Sequence, residues 1–283
     1  MASPPRPVTA LDKSDVLRGL FASWKAIEQL MTGLSAQRWQ VATALPGWRV
    51  HDVVSHVIGT ESMLAGVPTP EADCDVSALE HVHNDIGVLN ECWVRHLATQ
   101  TPDDMLARLG DITAERTATL TAMTDAAWNE PTVTPAGPDS YGRFMRIRTF
   151  DCWMHEQDIR EALGCPASDD ELTGPAAGQA MNEIAAGMGF VVGKRGQAPD
   201  GARVAIELTG PMTRTIRVAV DGRAAVVDDF GGAEPTVCIR LDGQQFTRLC
   251  GGRPMTAARP ADVGITGDQE AGRRIVDNLA YVI

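Results

Sequence analysis

The stretch Arg148-Thr149-Phe150-Asp151-Cys152-Trp153-Met154-His155-Glu156-Gln157-Asp158 decides how the first half of this chain folds. Its aromatic and apolar residues predict a largely buried helix, on which Asp151 and His155 lie on one face because they are one turn apart. An earlier stretch, Gly47-Trp48-Arg49-Val50-His51-Asp52-Val53-Val54-Ser55-His56, also predicts a helix. A carboxylate and an imidazole one turn apart, joined by a donor from a second helix, form an open three-ligand metal site in a helical bundle. His56, Asp151 and His155 are therefore candidate ligands of a divalent metal ion.

Each candidate ligand also has an interpretation that needs no metal. A single histidine on an apolar helix, such as His56, is more often a structural residue than a ligand. A buried carboxylate such as Asp151 needs a partner, because burying it unpaired costs on the order of several kcal/mol. A metal ion satisfies that need, and so does Arg146 or Arg148. The spacing alone leaves these alternatives open.

Two further carboxylates share helix faces with the candidate histidines. Asp52 precedes His56 by one turn, and Asp158 follows His155 by nearly one turn. A carboxylate that accepts the second imidazole N–H fixes the tautomer and the orientation of the ring. We therefore expect Asp52 to orient His56 and Asp158 to orient His155.

A second histidine cluster lies in Leu79-Glu80-His81-Val82-His83-Asn84-Asp85. The pattern predicts that a helix covers residues 79–97, on which the rings of His81 and His83 point apart. One interpretation is a solvated helix start. The other is that His83 and Asn84 line a binding pocket.

The apolar residues before residue 165 recur with the period of a helix. They predict five helices, over residues 11–34, 50–64, 79–97, 102–123 and 141–163. The last of these ends at Gly164-Cys165-Pro166, a glycine followed by a proline, as helix C-termini prefer. Residues 11–165 are therefore predicted to form an up-and-down helical bundle. Residues 1–10 are proline-rich and are predicted to be a disordered lead-in.

After residue 165 the chain contains neither Trp nor His, although it has six of each before that point. Alternating apolar residues predict strands over 203–208, 213–220, 223–228 and 236–241, with a hairpin turn at Asp221-Gly222. Helices are predicted over 171–188, 244–250 and 268–281. Residues 166–283 are therefore predicted to form a small α+β domain, and the histidine chemistry is confined to the helical domain.

Composition excludes several kinds of partner. The net charge of −12 argues against nucleic acid, because nucleic-acid binders usually need a basic face. No apolar run reaches the roughly 18–20 residues of a membrane span, and the N-terminus lacks the apolar core of a signal peptide. We therefore expect a cytoplasmic protein with no membrane partner. The six cysteines show no Cys-x-x-Cys spacing, so buried, reduced thiols are expected.

At these residues the chain resembles the mycothiol-dependent maleylpyruvate isomerase family, within the DinB/YfiT-like metal-binding superfamily. The order and spacing of the matching motifs extend over nearly the whole chain. The second part resembles the family's C-terminal domain, which is similar to sterol-carrier proteins. The motifs that carry the resemblance are Pro46 to His56, His83 to Gly87, Asn90-Glu91, Arg148 to Arg160, Leu249 to Arg253, and Gly267-Asp268.

The resemblance implies a four-helix bundle that holds a divalent metal, usually zinc, through two histidines and an acid. On the matching positions these ligands are His56, Asp151 and His155. The family's acid is often Glu, which is one methylene longer than Asp, although Asp also ligates zinc. His83 and Asn84, as pocket residues, are predicted to bind the cofactor. The resemblance matches Arg253 to a basic residue of the second domain that faces the active site.

The function implied is that of a metal-dependent thiol transferase. A low-molecular-weight thiol, mycothiol in this family, is activated as a metal-bound thiolate and attacks a small electrophile. Arg253 is expected to pair with a carboxylate or a developing oxyanion of that electrophile. If the thiol leaves again after rotation about a double bond, the same first step gives cis–trans isomerisation of the maleylpyruvate type.

Two other classes of protein remain alternatives. One is a small-ligand or lipid carrier, because the second domain resembles sterol carriers. The other is a metal-free bundle with a regulatory or interaction role. The negative charge and mixed surface allow either a monomer or a homodimer.

Overall fold

The computed structural model describes residues 8–253 and 262–281. The chain divides into two compact units, Met1–Ala167 and Ser168–Ile283, and the predicted boundary after residue 165 lies two residues before this division. Of the predicted lead-in, residues 1–7 lie outside the described part. Thr9 lies within it, and its backbone N–H donates to Asp139 Oδ1 over 2.6 Å.

Helices dominate the first unit. Helix α1 packs on α5 and α7, and α3 packs on α4, α5 and α7, so the four long helices α1, α3, α5 and α7 form a bundle with α4 against its side. The elements are α1 (Lys13–Met31), α2 (Ala36–Trp39), α3 (Val50–Leu64), α4 (Asp85–Leu97), α5 (Pro102–Ala122), α6 (Asp125–Trp128), β1 (Pro131–Thr134), β2 (Gly137–Ser140) and α7 (Tyr141–Leu163).

The apolar stripes predicted from the sequence form the core of the bundle. Capping residues mark the ends of its helices. The stripe on α3 is buried in the core, and so is most of the stripe on α1, where Phe21 and Leu30 are partly buried. At the start of α5, Thr101 and Asp104 cap each other's backbone N–H groups, and Pro102 occupies the first helical position. At the end of α7, Gly164 adopts a φ of 65°, a conformation that favours glycine.

The third predicted helix begins later than the sequence indicated. It was predicted over residues 79–97, but α4 begins at Asp85 because Asn84 is its N-cap, with the side chain of Asn84 accepting the N–H of Gly87. His81 and His83 therefore precede the helix, and the prediction of a helical start at residue 79 was wrong.

The second unit is an α+β domain built on a five-stranded sheet in the order β5-β4-β3-β6-β7. Strands β3 and β6 are parallel, and the other neighbours are antiparallel. The elements are α8 (Asp169–Leu172), α9 (Pro175–Phe190), β3 (Arg203–Thr209), β4 (Arg214–Asp221), β5 (Arg223–Val227), β6 (Val237–Asp242), α10 (Gly243–Cys250), β7 (Gly264–Gly267) and α11 (Gln269–Asp277).

Helices α9, α10 and α11 pack against the sheet, and the apolar face that alternation predicted is buried beneath them. The helix predicted over residues 171–188 is in fact two helices, because Gly174-Pro175 ends the short α8 and starts α9. Strands β1, β2 and β7 were not predicted. The fold class is confirmed, with a helical first unit and an α+β second unit. None of the helices in the described part of the chain combines the length and the hydropathy that a membrane span requires.

Candidate metal centre

The first unit brings His56, Asp151 and His155 together. His56 lies on α3, whereas Asp151 and His155 lie one turn apart on α7. One possible ligand atom from each of the three lies within 4.8 Å of the others. Nε2 of His56 is 3.1 Å from Oδ2 of Asp151, and Nε2 of His155 is 3.6 Å from Oδ1 of Asp151. The packing of α3 on α7 thus joins donors that are far apart in the sequence.

These separations suit a divalent metal ion. Zinc takes nitrogen and oxygen ligands at about 2.0–2.2 Å in a tetrahedron, so two ligand atoms of one ion lie roughly 3.3 Å apart. The two observed separations, 3.1 and 3.6 Å, fall on either side of this value, and each involves a different oxygen of Asp151. Two imidazoles and a carboxylate are also a donor set of catalytic zinc sites. In chemistry and in spacing, the three residues therefore fit a divalent ion.

His56 is held with its Nε2 toward Asp151. Its Nδ1 lies 3.5 Å from the hydroxyl oxygen of Thr60, one turn later on α3. Burial lowers the pKa of His56, which favours the neutral imidazole that a metal needs. The expectation that Asp52 orients this ring was wrong. The carboxylate of Asp52 instead accepts the backbone N–H of Arg49 over 2.8 Å and caps the start of α3.

His155 is oriented by the carboxylate that the sequence indicated. Its Nδ1 is 3.2 Å from Oδ2 of Asp158, which is almost fully buried. This contact turns Nε2 of His155 toward Asp151. A carboxylate behind an imidazole fixes the tautomer and raises the basicity of the ring nitrogen that faces a metal.

Asp151 has a protein partner in Arg148, one of the two arginines that the sequence offered. Nη1 of Arg148 donates to Oδ2 of Asp151 over 2.5 Å. Burial by itself would raise the pKa of Asp151, but the charge of Arg148 and the two imidazoles outweigh it and hold that pKa well below its usual range. Asp151 is therefore a carboxylate, the form that ligates a metal.

Trp48 forms an aromatic wall beside both imidazoles. The centroid of its ring lies 5.4 Å from that of His56 and 6.1 Å from that of His155. The two imidazole centroids are 4.8 Å apart, with the rings at 71° to each other. Trp48 stands two residues before α3, and no pattern in the sequence indicated that its ring would turn toward the histidines.

Glu91 and His81 hold this tryptophan in place. Nε1 of Trp48 donates to Oε1 of Glu91 over 2.6 Å, and Nε2 of His81 lies 2.8 Å from the same oxygen. The ring of His81 packs on Gly47, where a Cβ would come within 2.8 Å of it and where φ is +80°. Glycine is required there for both reasons. His81 belongs to the cluster that the sequence singled out, although the prediction favoured its neighbour His83.

The remaining predicted site residues are not members of this cluster. His83 is exposed, and the side chain of Asn84 is engaged in capping α4. Arg253 belongs to the second unit and follows α10, where its Nη1 donates to the carbonyl oxygen of Gly251 over 2.7 Å. Their roles in binding a cofactor or a substrate stay predictions.

All six cysteines lie in the described part of the chain and are free thiols, but only Cys152 and Cys250 are buried, so the expectation of burial was wrong for the other four. Cys152, which directly follows Asp151, is buried. Burial raises the pKa of its thiol to about 12, so it is protonated at neutral pH. Cys152 is therefore a packing residue and not a nucleophile.

Comparison with known proteins identifies two family domains in this chain. The family model described as the mycothiol maleylpyruvate isomerase N-terminal domain matches residues 20–160. The model described as the MDMPI C-terminal domain matches residues 179–274. The first match contains all three donors of the cluster.

Two curated relatives are similar in sequence to part of this chain. Two uncharacterized proteins of Mycobacterium tuberculosis, from strains CDC 1551 / Oshkosh and ATCC 25618 / H37Rv, are each 24% identical over 156 residues. That alignment covers 54% of this chain and 58% of each relative, so the chain matches little more than half of their length.

Two crystal structures share the fold at 14% identity. One is the mycothiol-dependent maleylpyruvate isomerase, with a TM-score of 0.58 over 90% of this chain and 93% of that chain. The other is a histidine-to-alanine mutant of a mycothiol-dependent maleylpyruvate isomerase, with a TM-score of 0.56 over 86% and 90%.

Proposed function

Because the chain belongs to the mycothiol maleylpyruvate isomerase family, we propose that it is a thiol-dependent enzyme whose chemistry takes place at His56, Asp151 and His155. The observation that carries the proposal is the compact cluster of three ligand atoms on α3 and α7. The family's name supplies the thiol, so we take mycothiol as the cosubstrate.

The cluster is suited to thiol activation because three protein ligands leave one position of a tetrahedral ion open. A divalent metal bound there, with zinc the proposed ion, favours the thiolate form of a coordinated thiol at neutral pH. The protein's own contribution is to keep the donors in place. Asp158 holds His155, burial keeps His56 neutral, and Trp48 keeps water away from one side of both imidazoles.

The proposed reaction begins when the thiolate sulfur forms a bond to an electrophilic carbon of a small substrate. In S-transfer this C–S bond persists, and the displaced group leaves with its electron pair or the adduct takes up a proton from water. In cis–trans isomerisation, rotation about the former double bond is followed by breakage of the C–S bond, which returns the thiol. We place S-transfer first, because 14% identity to the solved isomerases gives no side-chain argument for the same substrate. The family's name favours isomerisation as the alternative.

Metal content of the purified chain tests the proposed centre. We expect about one divalent ion per chain in the wild type and less than about a tenth of that in His155→Ala, because the ion loses one of three ligands. His51→Ala is the matched control, since His51 is equally buried on α3 but lies outside the cluster. A wild type that takes up no zinc would contradict the proposed centre.

The same preparations should then be given a thiol with a chlorinated aromatic or a bimane. If the amount of free thiol consumed increases with the metal content of the preparation, a transferase is supported. Conversion of a cis-unsaturated acid without net loss of thiol would support an isomerase. If neither occurs at any metal loading, the proposed activity is wrong.

A further inference from the structure

Asp151 is the last member of a row of four alternating charges that runs through the bundle. Nε of Arg116 on α5 is 3.1 Å from Oε2 of Glu61 on α3. Two nitrogens of Arg148 on α7, Nε and Nη2, then donate to Oε1 of Glu61 over 3.1 and 3.0 Å. The remaining Nη1 of Arg148 donates to Asp151. Three helices thus contribute to one continuous row.

The row is buried except at its last member. The side chains of Arg116, Glu61 and Arg148 are 2%, 0% and 5% exposed, whereas that of Asp151 is 32% exposed. A buried charge must be paired, because water cannot screen it. Two cations and two anions alternate, so the row is neutral as a whole, and its only accessible end is the candidate metal ligand.

Arg148 on its own would oppose the binding of a cation at this centre. Its guanidinium stands beside Asp151, where it would repel a divalent ion and compete with that ion for the carboxylate. Interactions between charges are strong at such buried positions. Glu61 faces the other side of the same guanidinium and is itself completely buried. Its carboxylate therefore offsets the charge of Arg148 at the place where that charge would otherwise weaken metal binding.

We propose that Glu61 is a positioning residue of the metal centre that acts through Arg148. It holds the guanidinium in a fixed orientation and compensates its charge, so that Arg148 can orient Asp151 without preventing a cation from binding. This inference rests on the proposed metal centre. Glu61 lies five residues beyond His56 on α3, and its carboxylate accepts hydrogen bonds from Arg116 and Arg148.

Two variants separate this role from a purely structural one, because they change the charge of the row in opposite directions. Glu61→Gln leaves Arg148 uncompensated, so zinc affinity should fall about 10- to 100-fold, the range seen when residues behind metal ligands are altered. Arg116→Met removes a cation, so the whole charge of Glu61 is available to compensate Arg148. Zinc affinity should therefore stay within about threefold of the wild type or increase. Each variant breaks a buried ion pair, and both should lower the free energy of unfolding.

The measurement is the zinc dissociation constant of metal-free protein at one fixed pH, by competition with a chromophoric chelator. Circular dichroism confirms that each variant is folded at the temperature used. If Glu61→Gln and Arg116→Met lose affinity equally, or if Glu61→Gln loses none, the inference is overturned. A wild type that binds no zinc would overturn the metal centre as well, so the two failures are distinguishable.

If either of these two variants does not fold, a third variant provides the test. Arg148→Lys retains the charge, but a single ammonium cannot reach Glu61 and Asp151 with the separate N–H groups that the guanidinium uses. We expect zinc affinity to fall at least tenfold and the visible spectrum of the cobalt-loaded protein to change. An unchanged spectrum and affinity would mean that the row does not orient Asp151.

Discussion

Asp151 shows, for a single residue, that the position of a side chain on its helix can compensate for a shorter side chain. It is one methylene shorter than the glutamate that is common in the family, yet its two oxygens lie 3.1 and 3.6 Å from the two imidazole nitrogens. The neighbouring contacts follow a simple rule. Helical side chains lean toward the N-terminus, so a residue reaches back to one that stands a turn before it. Asp158 and Thr60 lean back onto His155 and His56, whereas Asp52 leans away from His56.

Asp139 supports a prediction about pH at the same scale. Burial alone would raise the pKa of Asp139, but hydrogen bonds from Arg143, Thr9 and Ser140 lower it from 3.8 to about 2. A carboxyl whose pKa is depressed by folding stabilises the protein above its unfolded pKa, and this contribution is lost as the pH falls toward the folded pKa. Asp139→Asn should therefore lower the free energy of unfolding by about 1–2 kcal/mol near pH 6, after allowance for solvent screening.

Urea unfolding of the wild type and of Asp139→Asn at several pH values checks this expectation. The difference between the two proteins should shrink as the pH falls from about 4 to about 2, the interval between the two pKa values. A difference that stays constant over this interval would show that the hydrogen bonds to Asp139 do not depress its pKa.

At the scale of elements, capping residues decide where the site's loops begin. Asn84 starts α4 six residues later than the apolar pattern suggested, which leaves His81 outside the helix. His81 can then lie on Gly47 and contact Glu91, which in turn holds Trp48 beside the imidazoles. The late start of α4 is thus part of the construction of the centre.

Close packing of α3 on α4 supports a second prediction. A Cβ added at Gly59 would overlap the side chain of Trp93, so Gly59→Ala should lower the free energy of unfolding by about 1–3 kcal/mol. Gly110→Ala on α5 is the matched control, because a Cβ there meets nothing within 4 Å. That variant should be more stable than the wild type by about 0.5–1 kcal/mol, since alanine favours the helix.

Denaturant unfolding at constant pH measures both glycine variants. Opposite signs for Gly59→Ala and Gly110→Ala are the expected result. Equal effects would mean that the tight contact with Trp93 can relax without cost.

At the scale of the whole molecule, the candidate functional residues are divided unevenly between the two units. All histidines, and therefore both imidazole donors, belong to the first unit. The second unit carries Arg253, for which the resemblance to the family predicts a role in binding the substrate. A guanidinium is suited to a substrate carboxylate or an oxyanion because it donates several N–H groups in one plane.

We predict that Arg253→Ala lowers the rate of thiol consumption at least about tenfold, the effect of removing one donor to a developing negative charge. Zinc content should not change, because the three ligands lie in the other unit. Arg240→Ala is the control, since Arg240 is an exposed arginine of β6 in the same unit. Activity equal to that of the wild type would remove Arg253 from the proposed mechanism.

The sequence by itself determined the long helices, the four strands β3 to β6, and the pairing of His155 with Asp151 and Asp158. These features depend on the periods of a helix and a strand, which are expressed over neighbouring residues. It missed β1 and β2, and it missed β7, whose short glycine-bounded segment has almost no apolar alternation. It also missed the short helices α2 and α6 and did not separate α8 from α9, because single turns are set by caps and not by periodicity.

Only the tertiary structure decided which residues surround the three donors. Arg148 was one of two arginines that the sequence offered to Asp151, and the i,i+3 spacing on α7 favours it over Arg146, which stands five residues before Asp151. The contact of its guanidinium with Glu61 is not local, because Glu61 lies on another helix. Trp48 and Glu91 likewise meet only because α3 packs on α4. Such contacts join residues far apart in the chain, and the packing of the complete core determines which helix faces meet.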